Sequence, residues 1–542
     1  MAARILFIIP PYFNIDDYGP GHRASVLPPF TIPYGILSLH AYLKAHCLTP
    51  VEVDILDLNL PLRRAVERGE TDDILERFER LIAERVAAFR PSIVGISALF
   101  NISFRYIQDI ARVCHALAPE AWVVAGGGLP SAAYRQVLDL CPDVDAICKG
   151  EGEIPLRDLV DAEAPEQVLR DHASWITRAG VAAGKQPGHT FVADLDEIPM
   201  LDYDLVDLDD YNARSIDKRY AGLPKREMAI HTSRGCPFLC VFCSNPSLHG
   251  RQVRAMSVDR VRTEVQRMKA RWGMTVLLIE DDHFFFDKAR AKDVLRALAE
   301  LEVRIEFPNG VAVYAIDDEV AELFSRAGVS TVALAVESGS DYVLNKIIKK
   351  PLKTGIVKDK VAMLRRHGVQ SHVFIVLGLP GELDEHRQQT LDLLLDVGFD
   401  WAHIFCAVPI FGSRLHEICV ENNYIEQAGF LDHVNTKSVI RAPGVDPEAI
   451  ERTAYQMNLE VNFVRNYNLS AGNFSTAVHY FENVVNKYPD HAFGHHALAR
   501  AYAGAGRPEA AAEARQRFAD IVASDAWWRE QSVLHGLLPG HA

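Results

Sequence analysis

Short apolar runs alternate with stretches whose apolar residues recur every three or four positions, and this alternation changes character along the chain. Over residues 1–165, the runs Arg4–Ile9, Val51–Leu56, Ile93–Ser97, Trp122–Ala125 and Ala146–Cys148 read as strands, with helical spacing over Asp73–Phe89 and Ile107–Leu117. Strands and helices in strict turn predict a doubly wound parallel α/β sheet, which binds ligands at the carboxyl ends of its strands. The loops there are Pro10–Pro11, Ser97–Asn101 and Gly126–Pro130. Over 166–225 the pattern weakens and acidic residues, Pro and Gly gather, as in Asp194–Tyr203, so this stretch reads as a connecting segment.

Alternation resumes over 226–425. Strands are predicted at Glu227–Thr232, Thr275–Glu280, Arg304–Phe307, Thr331–Val336 and Ser371–Leu377. Helices are predicted at Val258–Arg271, Lys288–Leu301, Asp317–Ala327 and Thr354–His367. About six such units in one run predict a parallel partial (β/α)6 barrel with its active site at the strand carboxyl ends. Residues 426–542 read as all-α. Gly472–Asn473–Phe474 recurs 34 positions later as Gly506–Arg507–Pro508, and Ala477 recurs as Ala511, a spacing similar to tetratricopeptide helix pairs. Two units are fewer than the three or so needed to stand alone, so they are expected to lean on the barrel.

At 542 residues, with 49% hydrophobic and 24% charged residues, the chain has the balance of a multidomain globular enzyme. A net charge of −15 argues against nucleic acid and for a small-molecule substrate or a carrier protein. Ile5–Ile9 reads as a strand rather than a leader, and no run of about 18 apolar residues predicts a membrane span, so a cytoplasmic location is expected. Nine cysteines form no disulfide framework; Cys47, Cys114, Cys141, Cys148, Cys406 and Cys419 read as small buried residues.

The other three stand together as Cys236–Pro237–Phe238–Leu239–Cys240–Val241–Phe242–Cys243, directly after a predicted strand. Thiolates suit iron–sulfur clusters or zinc, and a structural zinc site wants four ligands. Three cysteines on a cluster leave one iron open to chelation by an amine and a carboxylate. A fourth ligand from elsewhere would instead make a closed site.

This spacing resembles the radical S-adenosylmethionine superfamily, and the resemblance extends over roughly Glu227 to Ile425. It implies a [4Fe–4S] cluster on Cys236, Cys240 and Cys243, and S-adenosylmethionine as cosubstrate. Phe242 holds the aromatic place before the third cysteine, which lies against adenine. Asp281 and Asp282, in Glu280–Asp281–Asp282–His283–Phe284, match the acidic stretch that receives the methionine ammonium, and the same stretch also reads as a helix N-cap. Glu337 and Ser338 match the "GxES" strand end that faces the ribose and carboxylate. Leu377–Glu382 and Pro409–Ser413 resemble turns whose Gly and Pro set geometry.

A doubly wound domain ahead of such a barrel resembles the cobalamin-binding branch, on Ser97, Gly126, Gly127 and Pro130, then Glu151, Gly152 and Glu153. Glycines after a strand let a macrocycle approach the backbone closely. No "DxHxxG" motif supplies a lower imidazole to cobalt, and no G-x-G-x-x-G follows the first strand. The resemblance implies a cobalamin-dependent C-methyltransferase acting on an unactivated carbon of a biosynthetic intermediate, with an electron donor such as flavodoxin or ferredoxin. The alternatives are a cobalamin-assisted cyclase or rearrangement enzyme, a transfer-RNA methylthiotransferase, and a non-catalytic scaffold binding partners through the terminal helices, where Trp527–Trp528 reads as a helix cap or an exposed anchor.

Overall fold

In β1 (Ala3–Ile9) the successive residues Ile5, Leu6, Phe7 and Ile8 are all buried, the pattern of a strand covered on both faces. The computed structural model describes residues 2–13, 31–70, 72–211, 226–426 and 437–538, so the end of the connecting segment at 212–225 and the start of the terminal region at 427–436 lie outside the described residues. The described residues form two compact units, one built from the chain up to 211 with 227–297 and 408–426, the other from 298–407 with 437–538.

In the first unit, β1, β2 (Val51–Asp57), β3 (Ile93–Ser97), β4 (Trp122–Gly126) and β5 (Ala146–Cys148) form a parallel sheet in the order 2-1-3-4-5. That order reverses direction between β1 and β3, and ligands of open α/β sheets bind in the crevice at such a switch point. A sixth strand, β6 (Trp175–Ile176), joins β5 antiparallel. It comes from the stretch read as a connector: two residues are too short to show a period, but Trp175 is 1% exposed and its indole N–H donates to the Pro155 carbonyl at 3.1 Å. The unit also holds the parallel pair β7 (Glu227–Ile230) and β10 (Val276–Ile279). Between them in sequence lies a short antiparallel ribbon of β8 (Ser233–Arg234) and β9 (Arg254–Ala255).

The second unit carries β11 (Arg304–Glu306) and a parallel sheet of β12 (Thr331–Glu337), β13 (Gln370–Leu377) and β14 (Trp401–Cys406). β14 follows the last strand read from the sequence, and it was hidden there because four of its six residues are only half-buried. The terminal helices do lean on this sheet. Asn462 accepts from the Ala402 amide at 2.8 Å and donates to its carbonyl at 2.7 Å, occupying the open edge of β14. Tyr480 stacks on Trp401 with ring centroids 5.6 Å apart, and its hydroxyl bonds His372 at 2.7 Å. Helices Phe474–Lys487 and Ala492–Gly504, then Pro508–Ser524 and Ala526–Leu534, make two hairpins offset by the expected 34 residues, with Ala477 and Ala511 both fully buried. Trp528 belongs to their core, while Trp527 is 42% exposed beside Tyr455.

Candidate active site

The three cysteines sit on a loop whose two ends meet. β8 enters it and β9 leaves it, with Arg234 opposite Arg254, and the Cys236 amide donates to the Gly250 carbonyl at 3.4 Å. Gly235 begins the loop with φ at +95°, and a Cβ there would lie 2.5 Å from the Gln252 carbonyl oxygen, so only glycine allows the turn. All three cysteines are half-buried. Burial pushes the Cys243 thiol up to about 12, a neighbouring amide at Asn245 opposes this, and Cys240, Cys236 and Asp282 add to it. Among the described residues no three His, Cys, Asp or Glu side chains converge on a single ion position. Three thiolates that each bind a separate iron of a cluster need no such point, so the donor set fits a cluster with one open iron.

The acidic stretch after β10 divides its work. Asp281 is buried and accepts from the Thr232 amide and hydroxyl, both at 2.6 Å, and from the Ser233 hydroxyl at 2.7 Å. Burial raises its carboxyl, and the Thr232 and Ser233 bonds oppose the rise. Asp282 accepts from the Gly235 amide at 2.8 Å and from the Asn245 side chain at 2.7 Å. Both carboxylates, read as ammonium partners, therefore hold the base of the cysteine loop. Neither caps the following helix, Lys288–Ala299; Asp287 accepts from the amides of Ala289 and Arg290 there. Phe242 is half-buried on the loop itself.

In the second unit, Glu337 ends β12 with φ at +71°, in the left-handed region that non-glycine residues rarely adopt. Its carboxylate takes the Lys350 ammonium at 3.0 Å. Ser338 is fully buried, with its hydroxyl 3.3 Å from that of Thr390. The Gly339 amide donates to Thr390 at 2.9 Å, so this strand end is fastened to helix Asp384–Val397.

A cavity of about 300 Å³ opens in the first unit at the switch point. Ile9 ends β1 and Pro10 and Tyr12 follow it, and Ser97 ends β3 and Leu99 and Phe100 follow it. His231 and Glu280, the residues just after β7 and β10, close its other side. Of the residues assigned to cobalamin, Ser97, Gly127, Glu151, Gly152 and Glu153 line it; Gly126 and Pro130 are not on its wall. Gly127 is explained by packing rather than by a ligand: with φ at +93°, a Cβ would lie 2.5 Å from the Ala98 carbonyl oxygen. Leu99 and Phe100 are 57% and 54% exposed, an apolar wall of the kind a flat macrocycle covers. The wall fits a corrin in that respect.

The Glu151 and Glu153 carboxylates engage protein partners. Arg234 donates to both at 2.9 Å, Arg254 donates to Glu151, and His249 stands 2.9 Å from Glu151. Burial raises the Glu151 carboxyl, but Arg234, Arg254 and His249 outweigh it and hold it well below the usual carboxylate range. Residues not singled out from the sequence thus shape the site: Arg234, Arg254, His231, His249, Glu280 and Tyr34. His231 lies 3.6 Å from Glu280 through Nε2, and its ring is 4.8 Å from that of Tyr34. Two of them stood near a sequence signal: Glu280 in the first position of the acidic stretch and Arg234 two residues before Cys236.

Residues 230–394 match the family model of the radical SAM superfamily, and residues 24–160 match that of the B12 binding domain. The chain is 28% identical over 469 residues to cytidylyl-2-hydroxyethylphosphonate methyltransferase of Streptomyces wedmorensis, covering 80% of this chain and 87% of that one. It is 26% identical over 406 residues to the anaerobic magnesium-protoporphyrin IX monomethyl ester cyclase of Rubrivivax gelatinosus, covering 74% and 67%. The fold is shared with the radical S-adenosylmethionine methyltransferase TsrM of Kitasatospora setae, solved with cobalamin and a [4Fe–4S] cluster, at a TM-score of 0.61 and 16% identity over 96% of this chain and all of that one. With a B12-binding domain leading into a radical SAM domain, the chain belongs to the cobalamin-binding branch of the radical S-adenosylmethionine superfamily.

Proposed function

We propose that this enzyme is a cobalamin-dependent C-methyltransferase acting on an unactivated carbon of a small-molecule biosynthetic intermediate. One observation carries the reading: the cavity in the first unit is bounded on one side by the loops after β1 and β3 and on the other by His231 and Glu280, at the strand ends that lead into the cysteine loop and the acidic stretch. A single space thus adjoins both the B12-binding sheet and the radical SAM strands. When bound, the cluster supplies an electron that cleaves S-adenosylmethionine to a 5′-deoxyadenosyl radical, and the corrin supplies the methyl group.

The chain's own residues position these groups. Cys236, Cys240 and Cys243 are the cluster ligands, on a loop tied down by Asp281 and Asp282. Phe242, Glu337 and Ser338 belong to the S-adenosylmethionine site, together with Asp281 and Asp282 acting through the loop they hold. Ser97 and Gly127, with Leu99 and Phe100, form the corrin wall. Glu280 and His231 face the cavity as its polar pair and orient the substrate. The working segments are the B12-binding domain at 1–165, the connector at 166–225, the radical SAM barrel at 226–425 and the helical region from 426. A flavodoxin or ferredoxin delivers the electron, in the cytoplasm, where six scattered cysteines stay reduced. Among the described residues no helix is long and apolar enough to cross a membrane. The helical region supports the sheet edge first; its exposed Trp527 is where a protein partner would attach.

The likeness to magnesium-porphyrin cyclases favours one second reading, in which the corrin assists ring closure and no methyl is transferred. Anaerobic reconstitution with iron, sulfide and hydroxocobalamin, followed by turnover with methyl-labelled S-adenosylmethionine and candidate substrates, separates the two. Label in the product is expected; turnover to an unlabelled product rejects the methyltransferase. Replacing all three cysteines by alanine should abolish the cluster absorption and leave cobalamin bound.

A further inference from the structure

Four charged side chains meet in the interior of the first unit. Arg234, Arg254, Glu151 and Glu153 are 4%, 8%, 6% and 3% exposed. Arg234 bridges the two glutamates at 2.9 Å each and also donates to the Ser38 hydroxyl at 3.1 Å, and Ser38 in turn donates to Glu153 at 2.8 Å. Arg254 forks onto Glu151 through both terminal nitrogens and donates to the Val192 carbonyl at 2.9 Å. His249 completes the set on Glu151.

Two sites depend on these partners. Glu151 and Glu153 belong to the loop after β5 and the helix that follows it, on the wall of the switch-point cavity. Arg234 and Arg254 are the facing pair on the ribbon that closes the cysteine loop, and Arg234 stands two residues before Cys236. Taking four charges out of water is costly, and apolar side chains of similar size usually fill such a space at no loss of stability. What the ions give that apolar contacts do not is one fixed geometry, because each guanidinium fork accepts a carboxylate in only a few orientations.

We propose that the Arg234–Arg254–Glu151–Glu153 cluster is a positioning device that sets the cysteine loop in register with the cavity wall of the B12-binding sheet, with Arg234 as its central positioning residue. Lysine does not match Arg234, whose Nη1 bridges both carboxylates while Nη2 reaches the Ser38 hydroxyl; a single ammonium lacks that planar, two-armed reach.

Hydrogen–deuterium exchange on the full chain, without added cofactors, reads this directly. Arg234→Lys should raise exchange at least ~10-fold together in peptides over 235–250 and 149–156 while β1 and β3 stay protected. Glu153→Gln, which keeps its shape and loses one charge, should do the same more weakly and serves if Arg234→Lys fails to fold. The paired change Glu151→Met with Arg254→Met should melt like wild type yet leave the loop loose. Unchanged loop protection in folded variants overturns the proposal, as does recovery of both stability and protection in the paired variant. A second readout rests on the methyltransferase reading. After loading with iron, sulfide and hydroxocobalamin, dipolar EPR between the reduced cluster and cob(II)alamin should give one narrow distance in wild type and a broadened one in the paired variant; an unchanged distribution counts against positioning. Wild type that binds no hydroxocobalamin would reject the methyltransferase alone, since the exchange result still decides this proposal.

Discussion

The amide of Gly235 donates to the carboxylate of Asp282 across 2.8 Å, tying the first turn of the cysteine loop to the end of β10. The other carboxylate oxygen of Asp282 takes the Asn245 side chain at 2.7 Å, at the far side of the third cysteine. One carboxylate thus grips the loop before and after its thiolates. Charge-assisted bonds of this kind are worth about 1.5–3 kcal/mol each. Asp282→Ala is expected to fold, by circular dichroism, but to take up several-fold less iron on reconstitution than wild type. Asp282→Asn, which still accepts one bond, should fall between them. Full iron loading in Asp282→Ala would show that the loop keeps its shape without this tie.

Gly235 itself allows a sharper comparison. An alanine there meets both a φ of +95° and the Gln252 carbonyl oxygen at 2.5 Å. Gly273, the left-handed cap of helix Val258–Trp272, has a φ of +66° and open space where a Cβ would be. Gly273→Ala should therefore cost only about 1 kcal/mol from backbone strain. Gly235→Ala adds a backbone clash and should cost several times as much, seen as a lower melting temperature and a cysteine loop that holds no cluster. Equal melting temperatures in the two variants would mean that the ribbon relaxes to accommodate the new methyl group.

What sequence alone revealed of this molecule follows from distance along the chain. Strands β1 and β3 were readable because consecutive apolar residues bury both faces, and the cysteines because a cluster loop is local. The 34-residue offset of the terminal helices was readable from paired turns. The partners of the acidic residues were not. Asp281 and Asp282 bond residues 37–49 positions away, and Glu151 and Glu153 bond Arg234 across 81–83 positions, so nothing local shows that these carboxylates are occupied by the protein. The same distance separates β14 from Tyr480, which stacks on its Trp401, and from Asn462, which occupies its edge, both on helices far along the chain.

Asn462 tests the part the terminal helices play. Its side chain satisfies both the amide and the carbonyl of Ala402 on the open edge of the sheet, and it is 1% exposed. Asn462→Leu keeps the volume but leaves two buried backbone groups without partners, at about 1–3 kcal/mol for each. Denaturant titration should show a fall of that size, together with increased self-association through the uncovered edge of β14. A variant as stable and as monodisperse as its parent would mean that the rest of the helical layer covers the edge unaided.

Glu382 makes the stability of the second unit depend on pH. It is fully buried in the turn after β13, accepting from the Gly378 amide at 2.6 Å with the Arg387 guanidinium 3.5 Å away. Burial pushes its carboxyl up to about 7 against the bond from Gly378 and the charge of Arg387, from an ordinary value of 4.5. Because the folded value is the higher, the folded chain keeps a proton that the unfolded chain releases between these values. Stability from this group is thus fully present below about pH 4.5 and is lost as pH rises through about 7, by about 3 kcal/mol in all. Glu382→Gln removes the titration while preserving the acceptor for Gly378. Every other titrating group is common to the two proteins, so the difference in their unfolding free energies should widen in favour of the variant from pH 4.5 to 8 and then level. A constant difference across that range would mean that Arg387 keeps Glu382 ionised throughout.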